Sequence, residues 1–283
     1  MRTYKKLVIP YIMWITLFLV VPMLLIVYYA FSSPDMNEVV QIKFTLDHFK
    51  KFFDPVFVAV LIQSLKIAGI TTVISLLIGY PLAFMISRLK ERMQTLMILL
   101  ITIPMWINML IRTYAWISLL SDVGLINPSL AKFGLGPVKM LYTDFAVILG
   151  MVYNFLPFMI LQIYTVLNRM DESLIEASYD LGANRVETFF RVVFPLSLSG
   201  VISGITLVFL PAVSTFVIPQ FLGGGSYVLI GNLIENQFVQ VGNWNFGSAI
   251  SLIMAVIIML SMHLAQRFDQ DVQNQSKQAK GVA

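Results

Sequence analysis

Glu172, Glu176 and Asp180 fall four residues apart in a chain that otherwise carries few charges. On a helix this spacing lines them along one stripe, where each like-charged pair costs roughly 0.2–0.5 kcal/mol. Such a stripe repels the anionic headgroups of a cytoplasmic membrane surface, so a protein partner accounts for it better than a lipid one. The chemistry on offer is recognition, not catalysis. The chain has no phosphate loop of the G-x-x-x-x-G-K-[ST] kind, no His-Glu-x-x-His and no G-x-S-x-G. Its two histidines, His48 and His263, lie far apart and read as surface or helix-end residues. No cysteine is present to ligate a metal or close a disulfide. The expectation is a non-enzymatic chain that binds no metal, nucleotide or other cofactor itself.

The stripe belongs to residues 171–195, DESLIEASYDLGANRVETFFRVVFP. Asp171 is suited to cap a first helix, and Glu172 beside it favours the positive end of the helix dipole. Leu174, Ile175, Ser178 and Leu181 share a second face of that helix. Gly182 stands where a left-handed residue is wanted to close it. Asn184 is placed to cap a second helix, with Glu187 three residues on completing a capping box. Val186, Phe189, Phe190 and Val193 give the second helix an apolar face, and Pro195 is expected to end it where a membrane span begins. The segment is a helix-glycine-helix element; an amphipathic hairpin lying at the membrane interface is the alternative to a partner-binding role.

The rest of the chain must hold this element at a membrane. Hydrophobic residues make up 58% and charged residues only 12%, with a mean hydropathy of +0.82. One core cannot hide so much apolar surface, so lipid is the second solvent. Six stretches, near 8–31, 59–87, 94–119, 142–167, 197–221 and 247–267, reach the roughly 20 helical residues a span needs. They predict an all-α integral membrane fold of six transmembrane helices over residues 1–268, followed by a polar, Gln-rich tail, 269–283, expected to fray. The first span follows Arg2, Lys5 and Lys6 as a signal peptide would, but its apolar run is too long, and it reads as a retained anchor.

Flanking Lys and Arg residues set the orientation. One set of flanks holds Arg2, Lys5, Lys6, Arg88, Lys90, Arg92, Arg169, Arg185, Arg191, Arg267, Lys277 and Lys280, and the other only Lys43, Lys50, Lys51, Lys132 and Lys139. Both termini and the 171–195 loop are therefore expected in the cytoplasm. The net charge of +4 is spread over helix ends and gives no nucleic-acid surface. On the outer side, Val228, Leu229, Leu233, Ile234 and Phe238 in 226–241 keep helical spacing after the hinge-like Gly223-Gly224-Gly225, which predicts a short helix at the outer membrane face.

Glu176-Ala177-Ser178, Gly182 and Val192-Val193-Phe194-Pro195 resemble the EAA-type motif of ABC importer permeases: Glu-Ala-Ala, a glycine, then an Ile-x-Leu-Pro ending. Ser178, Val192 and Phe194 depart from it by small or apolar exchanges. Phe44-Thr45-Leu46-Asp47, Ile111-Arg112-Thr113-Tyr114, Leu156-Pro157-Phe158-Met159, Leu229-Ile230-Gly231-Asn232 and Asn243-Trp244-Asn245-Phe246-Gly247 are similar, in order and spacing, to the B-type permease subunits of spermidine/putrescine importers. The resemblance implies a type I ABC importer permease fold in a bacterial inner membrane. It implies a coupling helix in 171–195 that engages an ATPase through Glu172, Glu176, Ala177, Ser178, Asp180, Gly182, Arg185 and Pro195. The implied partners are a second permease subunit, two ATPase subunits that use ATP and Mg, and an external polyamine-binding protein.

A polyamine path needs aromatic faces and uncharged acceptors, and Trp106, Asn108, Tyr114, Tyr153, Asn154 and the external Glu235 are its candidates here. Aromatic belts and a solvated surface acid are the competing readings. Pro104, Pro157 and Pro211 interrupt three adjacent spans, either around a cavity or as ordinary packing kinks. Arg112 is a charge in or at the edge of a span and is expected to pair with Asp122 or with the binding protein. Lys66 is expected to snorkel outward. An ion-coupled carrier would need carboxylates in mid-span, and a membrane enzyme a catalytic cluster; the chain offers neither and, unlike an ABC permease, neither needs the 171–195 loop. A permease for another small substrate is the nearer alternative.

Overall fold

The computed structural model describes residues 10–34, 42–134, 136–225 and 227–281. Arg2, Lys5, Lys6 and Ser226, used above, lie outside the described residues. Five helices are long and apolar enough to cross a membrane, or six when one bent pair counts as a single span. They are α1 (Pro10–Phe31), α3 (Pro55–Ser87), the bent pair α4 (Glu91–Trp106) and α5 (Met109–Leu120), α7 (Asp144–Leu167), α9 (Arg185–Ser214) and α12 (Trp244–Gly281, apolar as far as Arg267). Between them lie the shorter α2 (Asp47–Phe52), α6 (Ile126–Lys132), α8 (Ser173–Asp180), α10 (Val217–Leu222) and α11 (Ile230–Val239). The tail does not fray: α12 carries it as helix through Gly281.

Three boundaries depart from the sequence expectation, two of them at a proline. The third span is not one rod, because its halves meet at 93°. Pro104 cannot donate to the carbonyl four residues back, the helix tightens to a 3₁₀ turn over Ile103–Trp106, and Asn108 accepts from the Leu110 amide at 2.8 Å to start α5 afresh. The fifth span stops at Ser214, where Thr215 turns extended ahead of α10 and its Pro219.

Pro195, in contrast, ends nothing: α9 runs unbroken through it. A π-helical turn over Phe189–Val193 precedes the proline, and the Phe194 amide donates to the Phe189 carbonyl, five residues back. The same device precedes Pro22, where Thr16–Val20 is π-helical and the Val21 amide reaches the Thr16 carbonyl. Widening the turn one step before the ring shifts the hydrogen-bond register that the ring would otherwise break.

The described residues fall into two units. One comprises Met1–Ile62 with Ile230–Met259. In it β1 (Ser32–Pro34) pairs antiparallel with β2 (Ile42–Phe44), a short ladder in an otherwise helical chain. The Asn245 carboxamide donates to the carbonyls of Tyr29 (2.9 Å) and Ser32 (2.6 Å), so two of the sequence segments singled out above, 44–47 and 243–247, meet at β1. Phe246 stacks edge-on to Phe57 and carries the Lys51 ammonium 4.6 Å above its ring. The short helix expected in 226–241 is present as α11.

The other unit comprises Gln63–Leu229 with Leu260–Ala283, and its centre is the packing of α9 on α7. Gly200 and Gly204, one turn apart, make that packing close. A Cβ on Gly200 would lie 2.9 Å from the Gln162 carbonyl oxygen, and one on Gly204 2.6 Å from the Met159 sulfur. Met151, Met159, Ile163, Val201 and Val208 fill the buried seam. Tyr80 of α3 and Ser197 of α9 share a 2.8 Å hydrogen bond, and Tyr164 donates to Gln94 at 3.0 Å. Bonds of this kind give the polar groups of a span the partners lipid cannot supply.

Candidate functional site

Residues 171–195 fold as the hairpin their spacing predicts. The N-cap of α8 is Glu172, one residue past the Asp171 expected, and its side chain makes no cap bond; the Asp171 carboxylate instead accepts from the Ser173 amide at 3.0 Å. At the other end the Gly182 amide donates to the Tyr179 carbonyl and the Ala183 amide to that of Ser178, with Gly182 at φ +85. These are the paired bonds of a Schellman motif. Asn184 then opens α9 with a complete capping box: its side chain accepts from Val186 and Glu187, and Glu187 accepts from the Asn184 amide at 2.9 Å. Both free helix ends are satisfied by bonds spanning five residues or fewer. The turn is stiff without help from its surroundings.

The two arms are joined inside by Ile175, which is buried, and by a 2.9 Å hydrogen bond between Ser178 and Thr188. The serine that departs from the EAA pattern thus has a partner ten residues on. Outside, Glu172, Glu176, Ala177, Asp180, Gly182 and Arg185 are all exposed. The face expected to unite Leu174, Ile175, Ser178 and Leu181 divides: Ile175 and Ser178 turn in, while Leu181 stands 88% exposed. With Tyr179, Val186 and Phe190, also exposed, Leu181 gives the hairpin an apolar surface beside its acidic one. An open groove of ≈ 680 Å³ runs along it, lined by Phe84, Arg88, Ile175, Tyr179, Val186 and Phe190 among others. Arg88 lies over the Phe84 ring and 4.0 Å from Glu172, linking the end of α3 to the start of α8.

The candidate path residues are less gathered. Trp106 sits at the bend of the third span, 90% exposed. Asn108 is engaged as the α5 cap. Tyr114 is exposed with its ring 5.2 Å from Phe221, and Tyr153 meets Trp116 edge-on at 5.4 Å. Asn154 is 4% exposed and donates to the Gly150 carbonyl at 2.8 Å, which leaves its buried side-chain oxygen without a partner. Glu235 is half-buried on α11, in the other unit. Pro157 is buried in the body of α7, and Pro211 lies within α9. Arg112 does not pair with Asp122 among the described residues; its Nε is buried without a hydrogen-bond partner. Lys66 is exposed, as snorkelling requires.

The match to a family model settles the class. Residues 75–274 match the family described as the binding-protein-dependent transport system inner membrane component. The chain belongs to this family of transport permeases. The spermidine/putrescine transport system permease protein PotB of Haemophilus influenzae is 39% identical over 256 residues, covering 90% of each chain. Its Escherichia coli counterpart is 37% identical, over 88% of this chain and 91% of its own. Among solved structures, a chain of a bacterial ABC transporter that imports the acidic polysaccharide alginate superposes with a TM-score of 0.78 at 18% identity, over 94% of this chain and 95% of that one. One from the MetNI methionine ABC transporter gives 0.55 at 17%, over 76% and 95%. This is the type I ABC importer permease fold, and the chain is a non-catalytic, multi-pass transport component.

The permease also uses residues that its sequence does not mark out. Thr188, Arg88 and Phe84 brace the hairpin through Ser178, Glu172 and Phe189, which lie 10, 84 and 105 positions away, and Tyr80 and Ser197 tie α3 to α9 across 117. A polar or aromatic residue within an apolar run is the one signal each carried, and that signal does not name a partner.

Proposed function

We propose that this permease forms half of the membrane path of a polyamine importer and receives the work of ATP through residues 171–195. The observation that carries the coupling is continuity. The capped turn at Gly182 leads directly into α9, a single helix of 30 residues that begins in the hairpin and ends at Ser214. A load applied to Glu172, Glu176, Asp180 or Leu181 is therefore delivered to a rod packed on α7, not to a slack tether. ATP-driven closure of two ATPase subunits would displace the hairpin, tilt α9 and switch the cavity between outward-open and inward-open states. ATP and Mg act on those subunits, not on this chain.

The cargo reading is supported by the two relatives named for spermidine/putrescine transport. In this reading both termini and the hairpin are cytoplasmic, in a bacterial inner membrane. A second permease subunit completes the path, and an external polyamine-binding protein delivers the cargo. Trp106, Asn108, Tyr114, Tyr153, Asn154 and Glu235 contribute aromatic faces and oxygen acceptors to the cation's route. The test is reconstitution of the assembled importer in proteoliposomes with labelled putrescine and spermidine. ATP-dependent uptake of either is expected. Uptake of neither, with ATPase activity intact, would reject the cargo. Glu176→Lys is expected to lower co-purification of the ATPase and uptake together; unchanged assembly and uptake would reject the coupling role.

A further inference from the structure

A second cavity lies away from the hairpin, where α7, α9 and α12 converge. It is a niche of ≈ 290 Å³ lined by Gln162, Ile202, Ser203, Thr206, Leu207, Met262, Ala265 and Gln266. Four of these eight are uncharged hydrogen-bonding residues, drawn from three spans, and none is charged. Its level is set by its ends: Gln162 is five residues from the end of α7 that leads into the hairpin, and Gln266 adjoins Arg267, the last residue of the apolar part of α12. The niche therefore opens on the hairpin side of the membrane.

Each of its four polar side chains has an oxygen free to accept a hydrogen bond from an occupant. The Thr206 hydroxyl donates to the Ile202 carbonyl at 2.9 Å, so toward the niche its oxygen can only accept. Gln162, Ser203 and Gln266 make no side-chain hydrogen bond among the described residues. Polar groups left open in a span call for a polar occupant, because hydrocarbon gives them none. The acceptors are two carboxamide oxygens and two hydroxyl oxygens, enough for the three N–H groups of a primary ammonium. Ile202, Leu207, Met262 and Ala265 supply an apolar wall for a methylene stem.

We propose that this niche is an exit subsite for the ammonium end of an alkyl polyamine, passed on the way to the cytoplasm. The assignment rests on the polyamine reading of the preceding subsection. The absence of a carboxylate is part of its fitness: a site on a conduction path must hold its ion weakly enough to release it. Neutral oxygens solvate the cation without trapping it.

The test uses the assembled importer in proteoliposomes with putrescine and spermidine as probes. The double variant Gln162→Leu/Ser203→Ala is expected to lower uptake per ATP hydrolysed by about a hundredfold, the loss of two hydrogen bonds to a charged group at about tenfold each, with assembly and basal ATPase activity unchanged. Ser203→Asp is expected to slow uptake while raising the amount of polyamine retained per complex, because a fixed anion converts passage into binding. Wild-type polyamine uptake that persists undiminished in the double variant overturns the assignment alone. So does loss of the second permease subunit from the double variant on purification, which would make the niche a subunit interface. Failure of the wild-type importer to take up either polyamine overturns the cargo reading and this assignment together.

Discussion

Two glycines with left-handed backbones stand at opposite ends of α7, Gly182 beyond its C-terminus at φ +85 and Gly224 beside its N-terminus at φ +64. Their surroundings differ completely. A Cβ at Gly182 would meet nothing within 4 Å, whereas one at Gly224 would come within 2.7 Å of the Tyr142 ring. Tyr142 itself has φ +63, and its amide donates to the Leu222 carbonyl at 2.9 Å. The hairpin end is thus rigid through its own short-range bonds and presents its outer side free to be gripped. The 222–229 end is held by contacts to residues about 80 positions away. Of the glycine run there, expected to act as a loose hinge, Gly223 and Gly224 are tightly covered and only Gly225 is open: a Cβ on Gly223 would lie 2.5 Å from the Pro219 carbonyl oxygen. A handle and an anchor have the same backbone angle and opposite demands on their neighbours.

The contrast is broken most sharply by alanine at each glycine. Gly224→Ala is expected to cost about 2–4 kcal/mol, the left-handed penalty plus overpacking against the ring. Gly182→Ala should cost only the backbone part, about 1–2 kcal/mol. Thermal midpoints in mild detergent would check both. Tyr142→Ala should recover the overpacking share in the Gly224→Ala background and recover nothing in the Gly182→Ala background. Equal rescue in both would dissolve the distinction.

Within the hairpin, Asn184→Ala is expected to cost about 1 kcal/mol by removing the cap shared by Val186 and Glu187. Co-purification of the ATPase should fall with it. A turn held by distant contacts would tolerate the change, so intact docking would count against the self-supporting hairpin. Ser178→Ala, which restores the family's preferred residue, is expected to cost about 0.5–1.5 kcal/mol by stranding Thr188. Thr188→Val should cancel most of that cost when combined with it, and a double-mutant cycle measures the coupling.

The same contrast explains what could be read from the chain alone. Asp171, Gly182, Asn184 and Glu187 were legible because each meets its partner within five residues, and the residue types that can do so are few. The existence of the spans was legible because lipid demands length and apolarity and little else. Their interruptions were not. Pro104, Pro195 and Pro211 look alike in an apolar run, yet one precedes a 93° bend, one is passed by a π-helical turn and one lies inside a helix. The outcome depends on whether a neighbouring turn can widen and on whether a cap such as Asn108 follows. Gly200 and Gly204 were equally silent, since a small residue shows where a helix can be approached and not which helix approaches. For the candidate path, Asn108 and Asn154 also bond within their own helices, to Leu110 and Gly150. Local bonding of that kind is indistinguishable in sequence from availability to a substrate.

The smallest expected effect tests the anchor from its far side. Tyr227 lies in the same turn as Gly224, with its hydroxyl facing Asp144 and Gln63 but not in hydrogen-bonding geometry with either. Burial, reinforced by Asp144, pushes its phenol up to about 12. The sign follows from the neutral form being the one the fold prefers. Below pH 10 both folded and unfolded chains keep the proton, and the contribution of Tyr227 is fully present. Above pH 10 the unfolded chain begins to release the proton while the folded one keeps it, so stability falls as pH rises toward 12. Tyr227→Phe should remove this slope from an alkaline stability profile measured between pH 10 and 12, leaving the profile at neutral pH little changed. If Tyr227→Phe left the alkaline arm as steep as before, the turn at Gly224 would not be the buried, long-range anchor that its contacts describe.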